Sequence, residues 1–371
     1  MRIGILTFHG AHNYGSVLQA YALSAWLKDQ GHDVQIINLR NRAQKEAYRI
    51  YKHRSFTLRH AVDIAFTTLT YIPRKRRFDS FEYFINNHLP ITKQEYTSGQ
   101  ELKLTSLDFD AFIAGSDQVW NPACQDFESA YYLDFVGNDK LRIGYAPSLG
   151  KEDFLQADKD LIKTLLRNVD YISCRESRGT QLLQSLTTRH VEHVCDPVLL
   201  LEQSKWEEFA TTPSGDEPYI LTYFLNNNHG DRSQVEYLRD LTGYKVVALN
   251  EYIRDWLNPN ISLKLDCTPQ EFVGLIKNAS IVLTNSFHAS VFSVIFKKRF
   301  YTAIASKSDV LNNNDSRKID FLSELGLESQ LLPNGTHPDL DIEIDYQKAY
   351  NSLDVFRQKS IRFLEDSLRN E

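Results

Sequence analysis

The sequence predicts an α/β protein built from two Rossmann-like, doubly wound domains facing a cleft. Three observations lead there. The chain has 371 residues, more than one ordinary hydrophobic core organises. Apolar runs of strand length alternate with segments of helical period, once through each half. Glycine and polar side chains cluster directly after several of the strand-like runs, where ligands bind in parallel sheets.

"RIGILTF" (2–8) predicts a buried strand and "SVLQAYALSAWLKDQG" (16–31) a helix, with Val17, Leu18, Tyr21, Ala22, Ala25 and Trp26 at helical spacing and Gly31 as its stop. "VQIINL" (34–39) completes a β-α-β unit. "FDAFIAG" (109–115), "LRIGYAPS" (141–148) and "YISC" (171–174) continue the strands, with helices over 153–169 and 175–186. "VEHVCDPVLLL" (191–201) closes the first half. The second half has strands at 218–225, 244–250, 280–285 and 299–304. Helices are expected at 232–243, at 268–279 with Pro269 in the first turn, at 286–298, and from Tyr346 to Leu368. "TTPSGDEP" has the composition of a linker. The expected division is therefore 1–205, carrying a basic insert at 40–105, then 206–345, then a C-terminal helix over 346–371.

Composition excludes several function classes. A formal net charge of −6 argues against a nucleic-acid partner bound by overall positive charge. Cys124, Cys174, Cys195 and Cys267 are far apart, as expected of reduced thiols in a cytoplasmic protein, and show no zinc spacing. The apolar run at the start is too short for a signal peptide, and no run has the ~18 apolar residues of a membrane span. Charge is nevertheless uneven. Arg40 to Arg77 holds eleven Lys or Arg against Glu46 and Asp63, a net +9 that leaves −15 elsewhere. With the apolar "AVDIAFTTLTYIP" at its centre, the segment is either a solvated basic face or a peripheral contact with anionic lipid at the inner face of the membrane.

Four stretches carry chemistry. In "FHGAHNYGSVLQAYAL" (8–23), Gly10 and Gly15 allow tight turns, and Ser16 is the expected helix cap. His9, His12, Asn13 and Tyr14 are placed to hydrogen-bond a ligand at the helix start, unless this is an ordinary βα turn. No G-x-G-x-x-G is present, so the dinucleotide fingerprint is missing. In "FIAGSDQVWNP" (112–122), Ser116, Asp117, Gln118, Trp120 and Asn121 follow a strand. A carboxylate, an amide and an indole together suit a sugar, although Trp120 could instead fill the core. In "CRESRG", Arg175 and Glu176 form at the simplest an ion pair at a helix start. In "TNSFHASVFS" (284–293), Asn285, Ser286, His288 and Ser290 stand where a strand becomes a helix, whose amides favour an anion. Downstream, Lys307, Ser308, Arg317 and Lys318 line a polar stretch, and Arg317 suits two-point binding of phosphate or carboxylate.

Taken in order, "GAHNYGSVLQAYAL", "FIAGSDQVWNP", "YAPSLG", "ISCRES", "CDPVLLL", "EFVGLIKNASIVLTNSFHASVFS" and "DSRKIDFL" resemble the polysaccharide pyruvyl transferase family. The resemblance covers most of the chain and leaves 40–105 largely unmatched. It implies a GT-B-like fold and transfer of a pyruvyl unit from phosphoenolpyruvate to a sugar, usually as a cyclic ketal, with no cofactor and no metal. Many members carry an arginine two positions before the histidine and a glycine after it. Here these positions are Ser286 and Ala289, so an anion contact must come from elsewhere, with Arg317 and Lys307 as candidates.

The resemblance assigns roles as expectations. His288 is the acid that protonates the methylene carbon, since an imidazole's unperturbed pKa of ~6.5 suits proton delivery beside anions. Asp117 is the base on the acceptor hydroxyl, with Glu176 second. Asn285, Ser286, Ser290, Lys307 and Arg317 form the donor side. His12, Asn13, Tyr14, Gly15, Gln19, Gln118, Trp120, Arg175 and Glu176 form the acceptor side. The acceptor is a sugar or glycan of a cell-surface polysaccharide, free or lipid-linked. Two alternatives share the architecture: a glycosyltransferase using a nucleotide sugar, and a non-catalytic sugar-binding protein.

Overall fold

The computed structural model describes residues 1–51, 58–151, 153–215, 217–225, 232–249, 253–305 and 315–369. The chain forms two compact units. The first comprises Met1–Tyr48, Tyr83–Leu201 and Asn351–Glu371, and the second Arg49–Glu82 and Glu202–Tyr350.

The first unit is built on seven parallel strands: β1 (Arg2–Leu6), β2 (Asp33–Leu39), β3 (Ile91–Tyr96), β4 (Ala111–Ala114), β5 (Leu141–Gly144), β6 (Tyr171–Cys174) and β7 (Val191–His193). Their order across the sheet is β3-β2-β1-β4-β5-β6-β7. The second unit has β8 (Tyr219–Tyr223), β9 (Lys245–Ala248), β10 (Ile261–Leu263), β11 (Ile281–Thr284), β12 (Arg299–Ile304) and β13 (Leu331–Pro333). Its order, β10-β9-β8-β11-β12-β13, repeats the first sheet's scheme with every pair parallel. Both are doubly wound Rossmann-like sheets, as expected. A parallel sheet covered on both faces needs continuous apolar strands. Accordingly β4 "AFIA", β8 "YILTY" and β11 "IVLT" are buried along their whole length. The outermost strands are short or polar: "ITKQEY", "VEH", "ISL" and "LLP" lack the apolar run that marks the inner ones.

Helix boundaries follow local chemistry. Thr268 and Glu271 form a reciprocal capping box ahead of helix Pro269–Asn278, and Pro269 takes the first turn as expected. The first helix, Tyr14–Asp29, begins two residues before its expected start, and its cap is Asn13 rather than Ser16. The Asn13 Oδ1 accepts from Gly15 N at 2.9 Å, leaving the Ser16 hydroxyl for another partner.

Two segments are distributed differently from a linear division. Residues 49–82 belong with the second unit, where the Phe66 ring lies 5.8 Å from Trp256 and Arg76 pairs with Asp266 at 4.0 Å. Residues 351–371 belong with the first, where Arg357 Nε donates to the Leu199 carbonyl at 2.7 Å and Cys195 N donates to Ser360 Oγ at 2.8 Å. The change of unit falls at Leu201, ahead of the linker-like stretch. Trp206 already packs edge-on against Phe292 at 4.8 Å in the second unit. Thr211 runs so close to helix Pro269–Asn278 that a Cβ on Gly274 would stand 1.8 Å from the Thr211 carbonyl oxygen, so this approach requires glycine. All four cysteines are free thiols, three of them buried, and burial lifts Cys195 to about 11.

Candidate functional site

In each sheet the chain winds outward in both directions from one strand pair: β1 and β4 in the first, β8 and β11 in the second. Loops leaving the carboxyl ends of such a pair diverge, which opens a crevice for ligands. The sequence motifs fall at these two places. "FHGAHNYG" follows β1, "GSDQVW" follows β4, and "NSFH" follows β11.

In the first unit a hydrogen-bond network joins the two loops. Thr7 Oγ1 donates to the Ser116 carbonyl at 2.7 Å, and Gln19 Nε2 donates to Thr7 Oγ1 and to the Ser16 carbonyl, both at 2.9 Å. Ser16 Oγ donates to Asp117 Oδ2 at 2.5 Å, tying residues 101 apart in sequence. Gln19 is fully buried, and its other amide atom, Oε1, has no hydrogen-bond partner among the described residues. Asp117 itself is half-buried and caps the following 3-10 turn, accepting from Gln118 N at 2.9 Å. Its backbone has φ 77° and ψ −179°, a region that glycine occupies and side chains avoid. It is held there by an extended pairing with Pro147 and by Ser148 N donating to its carbonyl at 2.8 Å. A strained conformation of this kind costs about 1–3 kcal/mol and persists because the surrounding bonds hold it.

Several neighbouring side chains are buried. His9 is buried, with Nδ1 3.1 Å from the Thr7 carbonyl and Nε2 3.0 Å from Asn38 Oδ1, and burial holds its pKa below the ordinary value. His12 is buried 5.7 Å from the Tyr48 ring, and Tyr14 is buried at the helix start. Trp120 corrects the expectation of a sugar platform. It is fully buried, stacked on Tyr132 at 4.7 Å, with Nε1 donating to the Tyr131 carbonyl at 2.9 Å, so no face is open to a sugar. Gln118 accepts from Asn121 Nδ2 at 3.0 Å.

Arg175 and Glu176 take different hydrogen-bond partners, although the Glu176 charge still favours the Arg175 guanidinium. Arg175 is buried and binds Asp196 Oδ2 at 2.7 Å and Ser116 Oγ at 3.1 Å, while Ser116 Oγ also donates to Asp196 at 2.9 Å. Burial lowers the Arg175 pKa, but Asp196 and the nearby carboxylates outweigh it and hold the guanidinium charged. Glu176 turns inward to accept from Ser148 Oγ and, at 3.3 Å, from Cys174 Sγ. A Cβ on Gly179 would reach 2.7 Å from that sulfur and 3.3 Å from Glu176 Oε2, so the helix needs glycine there. Both Glu176 carboxylate oxygens are thus engaged inside the first unit.

Asp126 was not anticipated. Burial raises its carboxyl pKa above the ordinary value, the Asp117 charge adds to this, and a hydrogen bond from Gln44 works against it. Gln44 is buried, and its Oε1 has no hydrogen-bond partner among the described residues. Nothing in "CQDFES" signals this, because both the burial and the nearby Asp117 charge come from the fold rather than from a motif.

In the second unit, Ser286 caps helix Phe287–Ile295 as expected, accepting from Ala289 N at 3.4 Å. Asn285 fastens the switch point. Its Oδ1 accepts from Leu225 N at 2.6 Å and its Nδ2 donates to the Leu225 carbonyl at 3.0 Å, continuing the β8–β11 pairing with a side chain. Ser290 faces the interior, bonded to the Ser286 carbonyl at 3.1 Å and to Thr302 Oγ1 at 2.8 Å, and so is not a ligand contact. His288 is the second residue of the helix and is 7% exposed, with the Phe287 ring edge-on at 5.1 Å.

The next helix, Ser316–Glu324, packs against this one through Phe287 and Phe321 at 5.7 Å. It carries Arg317, half-buried in its first turn. Lys318 beside it is buried, donating to the Ala303 carbonyl at 2.9 Å and pairing with Asp315 at 2.5 Å. Burial pulls its pKa down, with Asp315 pulling the other way. His288 and Arg317 therefore stand in the first turns of adjacent helices, both electropositive ends. Lys307 and Ser308 lie outside the described residues. Among the described residues no group of three or more His, Cys, Asp or Glu is placed to hold a metal ion.

Two doubly wound parallel sheets with their polar loops at the switch points define a GT-B-like protein. Solved structures of that architecture match along nearly the full chain. The protein described as a UDP-N-acetylglucosamine 2-epimerase from Listeria monocytogenes has a TM-score of 0.54 at 10% identity, covering 98% of this chain and 95% of that one. The UDP-GlcNAc 2-epimerase of Methanocaldococcus jannaschii, in complex with UDP-GlcNAc and UDP, has a TM-score of 0.51 at 12% identity, covering 99% of both. At such identities the likeness concerns the fold alone. The sequence profile of the polysaccharide pyruvyl transferase family matches residues 13–308, and the chain belongs to that family. Among curated proteins no sequence matches it.

Proposed function

We propose that the protein transfers a pyruvyl group from phosphoenolpyruvate to a sugar of a cell-surface polysaccharide or its lipid-linked precursor, forming a ketal. The observation that carries this reading is that His288 and Arg317 stand in the first turns of two packed helices, with His288 directly after β11 at the switch point of the second sheet. Phosphoenolpyruvate offers two anions, a phosphate and a carboxylate. Helix amides and a guanidinium favour both. His288 delivers a proton to the methylene carbon as an acceptor oxygen bonds to the adjacent carbon. Phosphate departs, and a second hydroxyl closes the ketal ring. Arg317, in place of the arginine that many members carry where Ser286 stands, binds the donor.

The first unit supplies the acceptor side in this reading. Asp117 takes the hydroxyl proton, positioned by Ser16 and by its own strained backbone. Asn13, Gly15, Gln19 and Gln118 belong to the network or turn around it. Acid–base help of this kind is typically worth ~10²–10⁴-fold. No helix among the described residues is long and apolar enough to cross a membrane. The reading places the reaction in the cytoplasm, with the enzyme at the inner face of the membrane where a lipid-linked acceptor is presented.

Thermal unfolding with added ligand tests the donor. Phosphoenolpyruvate at 100 times its Kd should add roughly 2.7 kcal/mol of stability, and UDP-sugars should add none. Stabilisation by a nucleotide sugar and not by phosphoenolpyruvate would instead support the glycosyltransferase reading.

A further inference from the structure

Exposed large hydrophobic side chains are concentrated in one region of the second unit. Between Tyr51 and Ile72, a short fraction of the chain, lie six of the seventeen found among the described residues. Helix Leu58–Leu69 and the start of helix Tyr71–His88 present Val62, Leu69 and Ile72 at helical spacing. Leu69 is 72% exposed and Ile72 is 65% exposed. The Phe66 ring beneath them packs 5.8 Å from Trp256, which is itself 47% exposed and is followed by the exposed Leu257. An apolar strip of this kind on a folded surface marks a contact site.

Charge identifies the partner. Leu69 to Arg77 contains four cations, Arg74, Lys75, Arg76 and Arg77, and no acid. Arg74 lies over Phe66 at 5.2 Å and Arg77 over Phe81 at 5.5 Å, so their stems run along apolar rings. Lys75 and Arg76 bond Asp79 and Asp266 yet keep 45% and 71% of their side chains in solvent. The exposed Arg49 lies two residues from Tyr51, whose ring stacks on Tyr71 at 6.2 Å. Apolar residues, a tryptophan and tyrosines at the rim, and cations one turn away are what an interfacial segment presents to anionic head groups. A second copy of this chain fits poorly, because a two-fold contact would set the same cations against each other.

We propose that this helical surface docks the protein on an anionic phospholipid bilayer, with Leu69, Ile72, Trp256 and Leu257 entering the interface and Lys75 and Arg76 meeting the head groups. The lipid-linked acceptor of the proposed function gives such a surface a use. The docking itself needs neither donor nor acceptor, so its test is independent of that reading.

The experiment is co-sedimentation with vesicles of phosphatidylcholine, alone or mixed with phosphatidylglycerol. Wild type should sediment with the mixed vesicles at low ionic strength, remain in solution with phosphatidylcholine alone, and be released by salt. Trp256 should shift its fluorescence to the blue on binding. The double substitution Leu69→Asp with Ile72→Asp, at positions too exposed to disturb folding, should weaken binding by more than about tenfold. Lys75→Gln and Arg76→Gln should each weaken it by up to about fivefold. The proposal is overturned if wild type ignores phosphatidylglycerol vesicles at low ionic strength, or if the Asp pair binds them as wild type does. It is equally overturned if sedimentation equilibrium shows a dimer that the Asp pair dissolves, since a second copy would then occupy the face.

Discussion

Asp117 pays for its position with backbone strain, and substitutions there should separate stability from activity. At φ 77° and ψ −179° a residue other than glycine carries about 1–3 kcal/mol of strain. Its carboxylate offsets part of this through the bonds from Ser16 Oγ and Gln118 N. Asp117→Ala keeps the strain and loses both bonds. Asp117→Gly loses the same bonds but removes the strain, at an entropic cost of about 0.5–1 kcal/mol relative to alanine. The glycine variant should therefore be more stable than the alanine variant by up to about 2.5 kcal/mol, although glycine ordinarily weakens a structured position. Urea unfolding monitored by circular dichroism measures the difference, and phosphate release from phosphoenolpyruvate in the presence of acceptor measures turnover. Both variants should have lost at least ~10²-fold in turnover. A glycine variant no more stable than the alanine variant would refute the strain argument. Turnover near wild type in either would remove Asp117 from the reaction.

His288→Gln should lower turnover by at least ~10²-fold with little change in donor binding, and equal turnover would exclude it as the acid. Arg317→Ala should raise the phosphoenolpyruvate KM by about 10- to 150-fold, the equivalent of a charge-assisted bond of about 1.5–3 kcal/mol, and steady-state kinetics at saturating acceptor reads this directly. The Asp126 carboxyl, raised mainly by burial, holds its proton more tightly in the folded chain than in the unfolded one. That favours folding below the ordinary value of 3.8 and is lost as pH rises through the folded value. Asp126→Asn should thus be more stable than wild type at pH 7, with the gap closing in acid, and urea midpoints across pH check both signs.

Local chemistry made much of this protein legible before its fold. Strand β6 and helix Tyr346–Leu368 have their expected limits, because apolar period and punctuation by polar residues act over a few neighbours. The cap at Ser286 and the Pro269 helix start are local for the same reason. The two-sheet architecture followed from repeated strand–helix alternation, and the family from motifs in series. Tertiary structure alone decided the rest. An apolar pattern says that Trp120 is buried or covers a ligand, and only its stacking on Tyr132 chooses between them. Ser16 has the chemistry of a cap, yet parallel pairing of β1 with β4 brings Asp117 to its hydroxyl from 101 residues away. Ser290 and Glu176 turn inward because partners on distant segments, Thr302 and Ser148, wait there. The edge strands β3, β10 and β13 are too short or too polar to announce themselves, and they form because a neighbouring strand offers its free hydrogen-bonding groups. Residues 49–82 join the second unit through contacts with Trp256 and Asp266 that no local period encodes. Which residues are apolar, charged or able to turn is written along the chain, whereas which of them meet is set by strand order and burial, and both depend on the whole fold.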